Sequence, residues 1–372
     1  MEKRISKNSA PDLFLLGSIA FLVVFGVIIL ASVSAPLSQA KIGTSYYFLN
    51  HQILYGLLPG LALALLAFKV RLETIKKWAP ILLLINLVLL LLVFVPVIGV
   101  EAKGASRWLN FGLISFQPSE LLKLTFVLYL ASFLAARSQG QDKKSSNFTQ
   151  TFAVFLVIIG LIGLLLALQP DVSTLGIIAV VASLMYFLAQ TPIWHSALII
   201  ILGTGGLALL VRFASYRINR LLTFLNPELD PMGKGYQAKQ ALITIGSGGL
   251  LGQGLGLSQQ KFGLLPEAMS DSIFAVFSEE AGFLGAILLL ASFLVFLWAS
   301  FRVIRRTKDS FPKLAALGIT GWISLQALIN ISSMAGLLPL AGIPLPFVSY
   351  GGSALITELA GMGILLNISK SA

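Results

Sequence analysis

A chain of 372 residues with 57% hydrophobic and only 11% charged positions cannot clothe a water-facing surface, since soluble domains carry about 25% charged residues. The absence of cysteine excludes a disulfide framework and a thiolate metal site, and two histidines, His51 and His195, argue against a histidine-ligated metal. The net charge of +11 would suggest nucleic acid, but its distribution reads as a topology signal instead.

A membrane span needs about 20 mostly apolar residues to cross roughly 30 Å of hydrocarbon. Ten stretches qualify: 13–33, 48–68, 79–99, 117–137, 152–168, 173–190, 193–212, 272–302, 313–335 and 350–368. The gaps around the fifth to seventh are very short. The basic stretch from Met1 to Ala10 resembles a signal-peptide start, but the small-residue run Ala31-Ser32-Val33-Ser34-Ala35 is weak evidence for cleavage. The first span is read as retained.

Ten spans put both termini on one side. Loops on that side carry Lys69, Arg71, Lys76, Lys77, Arg137, Lys143, Lys144, Arg302, Arg305, Arg306, Lys308 and Lys313, and the N-terminus adds Lys3, Arg4 and Lys7. Short loops on the other side offer Lys41, Lys103 and Arg107. Lysine and arginine collect on cytoplasmic loops, so both termini are expected in the cytoplasm. Residues 213–271, between the seventh and eighth spans, then form a large extracytoplasmic loop. It contains Arg217, Arg220, Gly246-Ser247-Gly248-Gly249, Gly252, Gly254 and Gly256. Its apolar runs, Ala241 to Ile245 and Leu250-Leu251, predict short interfacial helices.

Charge at bilayer depth is costly, so each buried acid or base is a candidate functional residue. Gln117-Pro118-Ser119-Glu120 opens the fourth span, with proline suited to a helix start. Glu120 and Lys123 share a helix face at i, i+3. That spacing serves a structural ion pair at least as well as a cavity wall. Asp171 follows Gln169-Pro170 in a short turn and reads first as an N-cap. Glu279 and Glu280 sit about 12 Å along the eighth span from Asp271 and point about 100° apart, which predicts different partners. Glu358 stands alone in the last span and reads as a packing anchor, and His195 reads as an ordinary interfacial residue. Asp271 ends the polar loop and opens the eighth span, where a carboxylate can act on a substrate that is half lipid.

Four segments then carry a family resemblance. They are Gly104-Ala105-Ser106-Arg107-Trp108-Leu109 with Gln117-Pro118-Ser119-Glu120; Gln169-Pro170-Asp171; Leu265-Pro266-Glu267 through Asp271 to Glu279-Glu280-Ala281-Gly282-Phe283; and Leu345-Pro346-Phe347-Val348-Ser349-Tyr350-Gly351-Gly352-Ser353. In this order they resemble the SEDS family (shape, elongation, division and sporulation), which includes FtsW, RodA and SpoVE. Gly235-Tyr236-Gln237, Ile245-Gly246-Ser247-Gly248-Gly249 and Leu257-Ser258-Gln259-Gln260-Lys261 are similar to FtsW-type loops. Met269-Ser270 stands where the family usually has His-Thr, and Ser272 where it usually has Phe.

The resemblance implies a single all-α polytopic membrane domain over residues 1–372, in the bacterial cytoplasmic membrane. It implies a peptidoglycan glycosyltransferase that polymerises lipid II, with undecaprenyl pyrophosphate as leaving group and inversion at the sugar. Asp271 is the expected general base. Arg107, Lys123, Arg217, Arg220 and Lys261 are expected to stabilise the leaving charge, with Glu120 and Glu267 orienting them. Asp171 is a further substrate-side candidate. Ser349 and Gly351, with Gly352, are expected where the backbone comes close at the start of the last helix. No cofactor is firmly implied; a divalent cation, Mg or Mn, could share the task, although no metal-ligand spacing is specific. A RodA-type polymerase of elongation and a lipid II flippase are the alternatives. Expected partners are lipid II, a class B penicillin-binding protein (an FtsI-like transpeptidase), other divisome proteins and membrane lipid, with no nucleic acid. The small residues Ala291, Ser292, Ala299, Gly318, Gly321 and Ser324 in spans eight and nine mark the expected docking face for the partner's helix.

Overall fold

The computed structural model describes residues 10–96, 98–102, 105–110, 112, 115–138, 148–189, 191–212, 222–230 and 232–371. Among these, eight helices are long and apolar enough to cross a membrane. They are α1 (Leu13–Ile42), α2 (Tyr47–Lys69), α3 (Leu72–Leu92), α4 (Pro118–Ser138), α5 (Phe148–Leu168), α9 (Ile273–Arg306), α10 (Ser310–Met334) and α11 (Gly352–Ser369). Two more, α6 (Val172–Leu188) and α7 (Ile193–Arg212), fill the places of the sixth and seventh expected spans. The loop before α9 holds α8 (Lys234–Ser247), a short helix where the run Ala241 to Ile245 predicts one, whereas Leu250-Leu251 lies in a turn and forms no helix. Lys3, Arg4, Lys7, Lys103, Lys143, Lys144, Arg217 and Arg220 lie outside the described residues.

Several helix ends differ from the sequence expectation. α1 runs past Pro36 to Ile42 and stops at Gly43, whose φ of 81° puts it in the left-handed cap conformation. Lys41 is therefore in the last turn of α1, not in a loop. α3 begins at Leu72, so Lys76 and Lys77 lie on its first turns. An apolar window cannot see a polar helix end. After α3 the chain forms a small antiparallel sheet in an otherwise helical molecule: β1 (Gly99–Ala102), β2 (Ala105–Asn110) and β3 (Ser115–Phe116). Val100 faces Trp108, and Leu109 faces Phe116.

α4, α10 and α11 are the centre of the bundle: 72%, 61% and 72% of their most apolar windows are buried, against 17% for α2. Glycine lets α2 and α11 touch. A Cβ on Gly363 would lie 2.2 Å from Ala64 O, and one on Gly60 would lie 2.6 Å from Leu359 Cδ1. At the other side, Asp12 caps α1 through the Phe14 and Leu15 amides at 3.0 Å each and grips Arg302 with both oxygens at 2.6 Å. Burial raises the Asp12 pKa, but the Leu15 amide, the Arg302 guanidinium and the Phe14 amide outweigh it and hold the carboxyl below its ordinary value.

α9 is broken at Gly282, with φ 67° and ψ −169°. A break frees carbonyls and amides that need partners. The glycine run supplies them. Gln253 N–H donates to Glu279 O and Gly254 N–H to Glu280 O, both at 3.0 Å, while Phe283 N–H donates to Gly249 O at 2.9 Å and Leu284 N–H to Leu250 O at 3.2 Å. A Cβ on Gly282 would sit 2.2 Å from Gly252 N. The two acids beside the break diverge as expected. Glu279 accepts from Ser258, and Glu280 pairs with Lys261 at 2.6 Å and accepts from Ser32 at 2.5 Å.

His195, in the first turn of α7, faces protein and not solvent. It is fully buried, bonded through Nδ1 to the Tyr186 hydroxyl at 2.9 Å and stacked on Phe152 at 4.5 Å. Of the six small residues expected to receive a partner, Ser292, Ala299 and Gly318 are buried, while Ala291, Gly321 and Ser324 are half-buried. Ala299 is 0% exposed, and a Cβ on Gly318 would meet Val127 Cγ1 at 2.5 Å and Met185 Sδ at 2.6 Å. Ala299 and Gly318 serve packing inside the bundle.

Gly282→Ala should lower the melting temperature in detergent, because the new Cβ meets backbone on one side and a left-handed φ on the other, a cost of about 1–3 kcal/mol. Gly160→Ala, where a Cβ meets nothing within 4 Å, should leave it unchanged. Equal melting temperatures for the two variants would contradict the account of the break.

Candidate active site

Asp271 is half-buried, immediately ahead of α9. What places it is a second stretch of non-helical chain, residues 335–351 between α10 and α11. Asn330, on α10, donates through Nδ2 to Asp271 O at 2.9 Å and to Ile343 O at 2.8 Å. Ser349 Oγ donates to Ser270 O at 2.6 Å, and Tyr350 N–H to Met269 O at 2.9 Å. The Asp271 carboxylate faces the strap: a Cβ on Gly342 would lie 3.5 Å from its Oδ2.

The strap is itself tied to four helices. Ser173, in the first turn of α6, donates to Ala341 O. Gln326, on α10, donates to Pro344 O at 3.0 Å. Glu358, buried in α11, accepts the Phe347 N–H at 2.8 Å and so supports a non-glycine residue held at φ 63°. Gln52, on α2, accepts the Gly351 N–H at 3.1 Å. Glu358 is thus a backbone anchor for the strap, a finer role than general packing.

The other sequence motifs join the same end. Lys123 is 2% exposed and reaches Glu120 at 2.8 Å and Gln326 Oε1 at 2.7 Å, with its ammonium 5.3 Å from the Trp322 ring centroid. Gln326 therefore links this pair to the strap. Asp171 caps α6 by accepting from Thr174 N–H at 3.3 Å, as expected, and also accepts from Ser119 Oγ at 2.9 Å. Arg107, on β2, donates through Nε to Gln169 O at 2.9 Å and through its terminal nitrogen to Pro170 O. Gln117 N–H donates to Ser353 Oγ at 3.1 Å, which closes the ring of motifs between α4 and α11.

Some expected roles change. Lys261 is 3% exposed, pairs with Glu280 and donates to Ser32 O at 3.1 Å, which fastens the loop to α1 and α9. Gly351 has an extended φ of 171° and room for a Cβ at 3.6 Å from Ala354 Cβ, so glycine is not required there. The close approach belongs to Gly352, whose Cβ would be 3.2 Å from Tyr55 O. Glu267 adopts φ 55° and accepts from Ser270 Oγ at 2.8 Å, which shapes the turn before Asp271. Asn330 and Gln326 did not stand out in the sequence, because a lone amide in an apolar span has no spacing to betray it. Among the described residues no three His, Cys, Asp or Glu side chains converge as metal ligands, so no set is assigned to a divalent cation.

The geometry coincides with a clear relationship to known proteins. The FtsW/RodA/SpoVE family model, described as "Cell cycle protein", matches residues 13–372. Stage V sporulation protein E of Bacillus subtilis is 37% identical over 98% of both chains. A probable peptidoglycan glycosyltransferase FtsW of Coxiella burnetii is 37% identical over 99% of both, and one of Geobacter sp. strain M18 is 39% identical over 96% of both. Among solved structures, a chain from work on "Structural coordination of polymerization and crosslinking by a peptidoglycan synthase complex" matches with a TM-score of 0.75 and 29% identity, covering 97% of this chain and 98% of that one. The rod shape determining protein RodA of Thermus thermophilus matches with a TM-score of 0.68 and 26% identity, over 97% of each chain. With all four motifs gathered at one end of a multi-pass helical bundle, this chain belongs to the FtsW/RodA/SpoVE family, the SEDS proteins.

Proposed function

We propose that this protein is a peptidoglycan glycosyltransferase that polymerises lipid II into β-1,4-linked glycan during cell division. The observation that carries the reading is the placement of Asp271: a half-buried carboxylate at a helix mouth, fixed by main-chain bonds to a strap tied into α2, α6, α10 and α11. The relatives named as probable peptidoglycan glycosyltransferases support the reaction class.

In this mechanism Asp271 accepts the proton from the 4-hydroxyl of a GlcNAc. The freed oxygen attacks C1 of a MurNAc, and the C1–oxygen bond to pyrophosphate breaks with its electron pair leaving on the phosphate. Attack from the opposite face converts the α-linked sugar to a β-link. The leaving charge needs preorganised cations, and Lys123 and Arg107 are the described candidates. Arg302, Arg305, Arg306, Lys308 and Lys313 gather at the far end of α9, about 36 Å along the helix beyond the break at Gly282. By the positive-inside rule that end is cytoplasmic, and Asp271 lies at the outer rim, where the sugar of a lipid-linked substrate sits. A transporter would put its key acid near the midplane, so the depth of Asp271 favours the enzyme over a flippase.

The complex in which the structural relative coordinates polymerisation with crosslinking suggests a transpeptidase partner with a single membrane helix, a class B penicillin-binding protein. The exposed face of α9, with Leu284, Ile287, Leu294 and Trp298 around half-buried Ala291, is the docking face in this reading.

Three outcomes follow from these assignments. Asp271→Asn should cut polymer yield from purified lipid II by about 10²–10⁴-fold while the protein still folds and inserts; near-normal yield would end the general-base role. For the buried pair, Lys123→Ala alone and the Glu120→Ala, Lys123→Ala double variant should be equally inactive if the ammonium also meets pyrophosphate. A double variant more active than Lys123→Ala alone would instead make the pair purely structural, because breaking one side of a buried pair strands a charge. A photo-crosslinker at Leu294 should capture the transpeptidase helix, and one at Ala299 should not; the reverse pattern would refute the docking face.

A further inference from the structure

The start of α2 carries an aromatic cluster that the reaction above does not use. Tyr46 and Tyr47 are 66% and 42% exposed. Tyr47, His51 and Tyr55 recur one helical turn apart, with ring centroids 6.2 Å and 4.9 Å apart in succession. Tyr350, from the strap, closes the cluster: its ring lies 5.9 Å from His51 and 5.5 Å from Phe48, and its hydroxyl bonds His51 Nδ1 at 2.9 Å.

Two features set this cluster apart from an ordinary interfacial belt of aromatic residues. The first is its connection to the reaction centre. Tyr350 N–H bonds Met269 O, two residues before Asp271, and buried Gln52 takes the Gly351 N–H, so the rings and the carboxylate belong to one packed unit. The second is the turn that follows. Residues Ile53–Leu57 form a π-helical turn, a costly geometry that clusters at functional sites. Elsewhere the exposed tryptophans mark the opposite end of the bundle, as with Trp298 one turn from Arg302.

We propose that this cluster is a sugar-binding platform, on which a pyranose ring of the glycan lies against Tyr47 and His51 beside Asp271. A pyranose has one face made of C–H groups and an edge of hydroxyl and acetamide groups. Aromatic faces carry partial negative charge that attracts C–H hydrogens, and phenol or imidazole edges bond the hydroxyls. A lipid tail would gain nothing from those polar edges. The platform rests on the glycan-polymerase reading and gives the strand a second hold besides the reacting atoms.

The test is equilibrium binding of a tetrasaccharide of alternating GlcNAc and MurNAc, free of lipid and pyrophosphate, to detergent-solubilised protein. The parent carries Asp271→Asn, so no turnover intervenes. Adding Tyr47→Ala or Tyr47→Leu should weaken binding by about fivefold to tenfold, and Tyr47→Trp should restore it. Melting temperatures check that each variant is folded. If Tyr47→Leu binds as the parent does, Tyr47 is only an apolar membrane anchor and the platform is wrong. If the parent shows no saturable binding, the platform is wrong outright. Neither result touches the general-base role, which stands or falls on polymer yield with Asp271→Asn.

Discussion

In a lipid-embedded bundle, any backbone group that leaves the helical pattern must find a partner in protein, because the hydrocarbon offers none. That constraint organises this molecule. The chain leaves the helix at Gly282, and the glycine run from 248 to 254 enters the gap to meet four stranded groups. It leaves again over residues 335–351, and Ser173, Gln326, Asn330, Gln52 and Glu358 each take one or two backbone groups of that strap. The donors and acceptors sit on four helices, α2, α6, α10 and α11. The strap is therefore held by the whole bundle, and Asp271, held by the strap, inherits its precision.

The same rule governs charge. Lys123 meets Glu120, and Lys261 meets Glu280, each pair nearly free of solvent. Unpaired, such groups would cost several kcal/mol apiece, so a buried cation near a site is first a paired cation. This is why Lys261 serves as a fastener. Lys123 differs because its third partner, Gln326, reaches the strap that holds Asp271. Any anionic substrate that drew on the Lys123 ammonium would be felt at the strap.

The ten helices were legible in the sequence because apolar length is a one-dimensional property. Their ends were less so: Lys76 and Lys77 belong to α3, and Pro36 does not stop α1. The site was legible as four motifs but not as a joined object. Ser119 with Asp171 and Arg107 with the carbonyls of Gln169 and Pro170 are contacts between motifs, which no spacing within one motif encodes. Asn330 and Gln326 were invisible, being single amides among apolar residues. The glycine run was conspicuous, yet its purpose, to fill a break some thirty residues later, is a tertiary fact.

The departures from the family pattern around Asp271 find a physical reason in the same geometry. Met269 and Ser270 contact the strap through their carbonyls, which Tyr350 N–H and Ser349 Oγ take. A carbonyl does not depend on its side chain, so the identities at these two positions can change while Asp271 stays in place. The Ser270 hydroxyl is then free to bond Glu267, steadying the left-handed turn there. Ser272, where the resemblance implies a Phe, is fully buried, donates to Pro266 O at 2.9 Å and accepts from Gln237 at 3.2 Å. Gln237 belongs to α8, so the small hydroxyl couples the loop helix to the mouth of α9. The substitutions therefore alter how the loop before α9 is fastened and leave the placement of Asp271 to main-chain atoms.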